Sequence, residues 1–170
     1  MTTDSDVKVD ATLPKVVREF LLKGGVLEKI TLRANGNWQH EGCDFENPKI
    51  ISLFHRSVQC TDGGTWLLEI GRFTYPIEVE DTAYFVDQVV FEEDGISIQL
   101  RGGQEEALDI ETLRYQPEGR LYCTLAESGF AARFLRNPYY LMAERMVEDE
   151  SGAVSFHWRD RAVVLLESAV

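Results

Sequence analysis

Between residues 78 and 111 the chain is nearly devoid of positive charge, with Arg101 alone against eleven carboxylates. The flanks are balanced: nine basic against ten acidic groups in residues 1–77, and seven against eight in 112–170. The net charge of −12 is thus carried almost wholly by one fifth of the chain. A band of that sign repels phosphate backbones and anionic headgroups, which argues against nucleic acid or a membrane surface as partner. No apolar run approaches the roughly eighteen residues of a membrane span. The N-terminal MTTDSDVKVDATL has neither the basic start nor the apolar core of a secretory signal, so a cytoplasmic location is expected. Cysteine is scarce as well. Cys43, Cys60 and Cys123 make an odd count without a CxxC pair, and are expected as reduced, small buried apolar groups rather than as a metal site. Gly102-Gly103 is followed by no Gly, Lys or helix signal that a phosphate loop would need, and GxSxG and HExxH are absent. No cofactor is expected.

What is present is an ordinary globular composition, 44% apolar and 27% charged, over 170 residues. A chain of this mass buries about 70% of its surface on folding, enough for one domain or two small ones. Residues 1–11 read as a disordered tail. A short helix follows from Pro14 to the Gly24-Gly25 stop, then two strand-like runs around Asn35-Gly36, a pair that favours a tight hairpin. Asn47-Pro48 opens the clearest helix, because Asn can cap the orphan N–H groups and Pro fits the first helical position. Ile50, Leu53, Phe54, Ser57 and Val58 share its stripe, and Asp62-Gly63-Gly64 turns the chain into TWLLEI. FTYPIEVE reads as an edge or bulged strand, since Pro76 cannot donate to a ladder. Asn137-Pro138 starts a second helix, with Tyr140, Leu141, Ala143, Met146 and Val147 on its expected buried face.

The two Asn-Pro pairs lie 90 residues apart, and each is followed by a helix, a Gly-containing turn and a strand, TWLLEI or AVSFHW. Runs of strands rather than strict strand–helix alternation indicate an α+β fold. The expectation is two similar β-rich halves, each with antiparallel strands and one Asn-Pro-capped helix, packed as a tandem repeat. Residues 12–77 would form the first half with the N-terminal helix, and 78–170 the second, which starts on the acidic band.

The segments ITLRANGNWQHEG, ISLFHRSV and DGGTWLLEI, then IEVEDTAYFV, then LYCTLAESGFAARFLRNPYYLMAE, resemble the bacterial family catalogued as domain of unknown function 1285. The likeness spans roughly residues 28–147 and is most specific at Val79-Glu80-Asp81 and at Ala132-Arg133 with Arg136. Asn37, between Gly36 and Trp38, departs from the family pattern, as does Thr82-Ala83 in place of a small residue and proline. The resemblance implies two related β-rich halves, each with a helix. It implies no defined activity, only a role in ligand binding or signalling.

Three constellations are candidate sites. His40, Cys43 and Asp44 form the densest reactive cluster; a small hydrolase using His40 with Cys43 or Asp44 is one alternative. Arg133 and Arg136 lie among apolar residues and need acidic company, because an unpaired buried charge costs several kcal/mol. Glu80 or Asp81 is the expected partner of Arg133, joining the halves, with an anion-binding role for Arg133 and Arg136 as the alternative. Aromatic residues, Tyr84 and Tyr139 among them, would line a ligand pocket beside the arginines. The leading expectation is a non-enzymatic binding or regulatory module for a small molecule or protein. A self-associating protein, a homodimer through the edge at FTYPIEVE, is the remaining one.

Overall fold

Three short helices and seventeen strands, most of two to five residues, lie within residues 8–168, which are the residues described in the computed structural model. The strands outnumber the nine or so legible in the sequence because a run of two or three residues leaves no alternation to read. The fold is α+β with mainly antiparallel sheets, and the chain divides into two units between Glu80 and Asp81. Glu78 to Glu80 therefore lie with the first unit rather than opening the second.

In the first unit, α1 (Lys15–Leu22) precedes an antiparallel meander of β1 (Ile30–Leu32), β2 (Trp38–His40) and β3 (Cys43–Asp44). Next comes α2 (Pro48–Ser57), then a second meander of β4 (Val58–Cys60), β5 (Trp66–Ile70) and β6 (Phe73–Pro76). Finally β7 (Glu78–Val79) returns to lie parallel to β1, with Val79 opposite Leu32. Asn47 caps α2 as its residue type requires, its Oδ1 accepting from the N–H groups of Lys49 and Ile50. The helix stops at Ser57, not near Cys60, because Val58 is already extended. Trp38 is buried edge-on against Phe54 at 5.2 Å, and its Nε1 donates to Nε2 of buried His55 at 3.1 Å.

The Asn35-Gly36 hairpin forms between β1 and β2: Arg33 N donates to Asn37 O, enclosing a three-residue loop in which Gly36 alone of the three is left-handed (φ 87°). The expected tail over residues 1–11 falls partly outside the described residues, and its end is held in place. Asp10 Oδ1 accepts from the N–H and hydroxyl of Thr12, and Oδ2 from the hydroxyls of Thr61 and Thr65. Those hydroxyls, Thr12 foremost, hold the Asp10 carboxyl well below the usual carboxylate range.

The second unit opens with β8 (Tyr84–Phe91), β9 (Ile96–Leu100) and β10 (Glu105–Ala107), followed by a 3-10 turn, Ile110–Thr112. Then come β11 (Arg114–Gln116), β12 (Arg120–Thr124), β13 (Ala131–Phe134) and α3 (Arg136–Ala143). The chain ends with β14 (Met146–Glu148), β15 (Val154–Trp158), β16 (Arg161–Val164) and β17 (Leu166–Glu167). From β11 onward this copies the first unit element for element: a meander, a helix, a second meander, and a last strand running parallel to the first. The first two matching strands start 84 and 82 residues apart (Ile30 to Arg114, Trp38 to Arg120), but from Cys43 to Ala131, Val58 to Met146, Trp66 to Val154, Phe73 to Arg161 and Glu78 to Leu166 the interval is 88 residues each time. Buried residues match too, Leu68 with Phe156 and Ile77 with Leu165.

The interval is 88, whereas the Asn-Pro pairs are 90 apart, so the marker that exposes the repeat is itself two residues out of phase. Pro48 is the first residue of α2, and its counterpart is Arg136, the first of α3. Leu135 occupies the cap and makes no side-chain hydrogen bond, so the second helix is not Asn-capped; Asn137 and Pro138 are its second and third residues. Pro138 is tolerated there because the first-turn N–H groups have no intrahelical acceptor. The shift turns the buried face: Pro138 and Met142 are inside, Tyr140 and Leu141 outside, and Met146 and Val147 belong to β14.

The acidic band is what the second unit has in addition. Strand β8 adds parallel to β13, with Tyr84 opposite Ala132, and β9 and β10 extend the sheet to seven strands. Ile96, Ile98 and Leu100 alternate into the core, leaving the carboxylates of Glu92, Glu93 and Asp94 in an exposed turn.

Candidate functional site

The residues singled out in the sequence fall into separate places. His40 and Cys43 are directly opposite each other on β2 and β3, which the spacing alone did not establish. The imidazole, however, bonds Glu28 through Nε2 at 2.7 Å, and Asp44 accepts from the Gln39 amide. Among the described residues no hydrogen bond joins His40 to Cys43, and no group of three His, Cys, Asp or Glu side chains is placed to hold a metal. Of the three cysteines expected inside, the structure buries Cys123 and leaves Cys43 exposed.

At the boundary, adjacent carboxylates face different arginines. Glu80 pairs with Arg33 in the first unit at 2.9 Å and accepts from the Ala34 N–H. Asp81 lies 3.4 Å from Arg133 in the second unit and accepts from the Tyr122 hydroxyl at 2.9 Å. The Arg133–Asp81 contact is therefore internal to the second unit and does not join the halves. Burial and the Asp81 carboxylate together raise the Tyr122 hydroxyl above its ordinary pKa. Tyr84 stacks on Phe130, Tyr139 packs near Gly119, and exposed Arg136 lies over Tyr140 at 5.7 Å. Each is engaged locally, and the two cavities described next are lined by other residues.

The larger cavity, about 510 Å³, lies within the second unit, where the acidic insertion meets the β15–β16 turn. Its floor is Ile96, Leu108 and Ile110, all buried. Its wall is Trp158 with Arg159 and Arg161, and Glu92, Asp94, Asp109 and Asp160 complete the rim. A smaller one, about 380 Å³, lies between Tyr115, Val154 and Leu165. The first is the better site. It sets an aromatic face and an apolar floor among six charged side chains, at a volume typical of small-molecule pockets.

Arg159 was not apparent as a site residue in the sequence. It adopts φ 56°, in the left-handed region that a residue with a Cβ enters at a cost of roughly 1–2 kcal/mol. Its counterpart 88 residues earlier is Gly71, at φ 60°, in the same turn of the first unit. A Cβ at Gly71 would meet nothing within 4 Å, so backbone conformation alone makes glycine the natural residue there. The other left-handed residue with a side chain among the described residues, Glu41, is compensated locally, its carboxylate accepting the Lys29 N–H. Arg159 has less: Nη2 reaches Glu92 O at 3.4 Å, and the guanidinium lies 5.4 Å from the Trp158 ring centre. Trp158 in turn packs on Phe91 at 5.2 Å, and Arg145 covers Phe91 at 3.7 Å. Matching the halves at 88 rather than 90 is the signal that would have set Arg159 against a glycine.

Two solved structures share this fold. A DUF1285 family protein from Shewanella baltica OS155 matches with a TM-score of 0.54 and 19% identity, over 69% of this chain and 92% of its own. A second, from Silicibacter pomeroyi DSS-3, gives 0.61 and 14%, over 82% and 80%. The chain resembles the DUF1285 family. At these identities the likeness is one of fold, and it carries the two-halves architecture without assigning a site. No family model matches the chain, and no curated protein does.

Proposed function

We propose that the chain is a non-enzymatic binding or regulatory module of the cytoplasm, and that its ligand occupies the cavity of the second unit. The observation that carries this reading is Arg159. A strained arginine stands where the repeat has glycine, set on Trp158 at a cavity of about 510 Å³. The turn needs a left-handed residue, which glycine supplies without strain, so an arginine there points to a residue kept for its side chain. The acidic rim fits the same reading, since it makes the site selective against polyanions.

A thermal-shift screen of amino acids, amines, carboxylic acids and nucleotides tests this. One class should raise the melting temperature of the wild type, and Ala107→Trp, which fills the cavity from its lining, should abolish the effect. A shift of equal size in the filled variant, or no shift with any class, contradicts the reading. Self-association is a second reading, favoured by Phe73, which is 81% exposed on the outer strand β6. Light scattering over a concentration series would then show a mass rising above 19.4 kDa, and Phe73→Ser would hold it there.

A further inference from the structure

The charge arrangement at the cavity narrows the ligand class. This step rests on the reading that the cavity is a binding site. Its two arginines are not equivalent. Arg161 is already paired, Nη2 to Glu111 Oε1 at 2.6 Å. Arg159, among the described residues, makes no ion pair; it is exposed, one long bond to a backbone carbonyl leaves most of its five donors to solvent, and Trp158 backs one side of the guanidinium. A planar fork in that state is suited to a carboxylate, which it can grip with two parallel N–H bonds.

The rim then decides what kind of anion. Glu92, Asp94, Asp109 and Asp160 outnumber the arginines two to one, and among the described residues only Asp109 commits a carboxylate oxygen, Oδ1 accepting from Glu111 N–H at the 3-10 turn. A phosphate or a dicarboxylate would bring a second negative charge among them and be repelled. A monocarboxylate that also carries an ammonium group has a counter-charge for both sides of the rim. Trp158 offers an aromatic face to the rest of the molecule, and Ile96, Leu108 and Ile110, only 4–9% exposed, close the floor. We infer that the cavity binds a zwitterion with an apolar side chain, of the α-amino acid class, through Arg159 to its carboxylate.

Isothermal titration with three probes of one shape tests the inference: L-phenylalanine, phenethylamine, which lacks the carboxylate, and 3-phenylpropionate, which lacks the amine. On the wild type, L-phenylalanine should bind at least tenfold more tightly than either. On Arg159→Gly, which installs the residue that the first unit uses, its affinity should fall to that of phenethylamine, while phenethylamine itself is unchanged. The melting temperature of that variant should not fall, which separates a lost ligand contact from a lost fold. Equal binding of phenethylamine and L-phenylalanine to the wild type overturns the inference, as does an undiminished preference in Arg159→Gly, and as does failure of all three probes to bind. In each of those outcomes the screen with Ala107→Trp still reports independently whether the cavity binds some other class.

Discussion

The two units spend the same strand–helix–strand plan on different ends. The first, residues 1–80, carries a net charge of −3, nine basic against twelve acidic groups; it closes its second meander with Gly71 and leaves β3 as the outer strand of its sheet. The second, residues 81–170, carries −9, eight against seventeen; it builds three further strands beside β13 and turns the matching hairpin with Arg159. Where the copies agree, in buried Leu68 and Phe156 or in the parallel return strands, the residues serve the fold. Where they disagree without a packing reason, the residue is free to serve something else. Arg159 is such a place.

The agreement can be broken at its centre. Phe156→Ala empties a fully buried site and should cost about 3–5 kcal/mol, and Leu68→Ala at the matching position about 2–5 kcal/mol, both read by urea denaturation. A loss below about 1 kcal/mol at either would remove it from the shared core. The boundary offers a smaller contrast between neighbours. Asp81→Asn withdraws the charge that Arg133 and Tyr122 both address, with its side chain only 8% exposed, and should cost about 2–3 kcal/mol. Glu80→Gln, in a pair with Arg33 that is open to solvent, should cost about 0–1 kcal/mol and less in high salt.

Similar in size is the effect of the turn residue. Gly71→Ala should lower stability by about 1 kcal/mol, since alanine must enter the left-handed region, whereas the reverse change at Arg159 should leave stability level or raise it. The hairpin loops sharpen the comparison through pH. Asp149 accepts from the hydroxyl and N–H of Ser151 and from the N–H of Ala153, which lowers its pKa; its counterpart 88 residues earlier, Thr61, relies on Asp10 instead. A carboxylate whose folded pKa is depressed stabilises above its unfolded value near 3.8 and loses that contribution as pH falls toward the folded value. Melting curves of Asp149→Asn and Asp10→Asn should therefore lie below the wild type at pH 6 and draw closer to it as the pH falls below 3.8. A constant offset down to pH 2 would assign the loss to something other than ionisation.

Much of the fold was legible because its punctuation is local. Asn47-Pro48 places a helix start, Asp62-Gly63-Gly64 a hairpin, and a helix-then-meander order recurring in both halves shows the duplication. The parallel return of β7 and β17 was not legible, since a two-residue strand has no period and its partner is far along the chain. The phase of the repeat was misread for a physical reason: proline is compatible with any position of a helix's first turn, so Pro138 marks the start of α3 without fixing its first residue. That two-residue offset hides the match of Arg159 to Gly71. Arg133, Asp81, Tyr84 and Tyr139 were conspicuous as charged or aromatic residues in apolar surroundings, and the structure engages each with near neighbours. Trp158 and Arg159 looked like an ordinary strand end because backbone angle leaves no mark on composition.

The acidic band has a clearer meaning in this light. Its apolar alternation builds β8 and β9 into the seven-stranded sheet, and its turn carboxylates lie at the mouth of the cavity that the inserted strands create. The most direct test of that view is one paired experiment on Arg159→Gly: its melting temperature, alone and with L-phenylalanine. The expected result is a variant at least as stable as the wild type whose melting temperature responds to the amino acid no more than to phenethylamine. A variant that is less stable, or one that responds as the wild type does, would show that the arginine serves the turn and not a ligand.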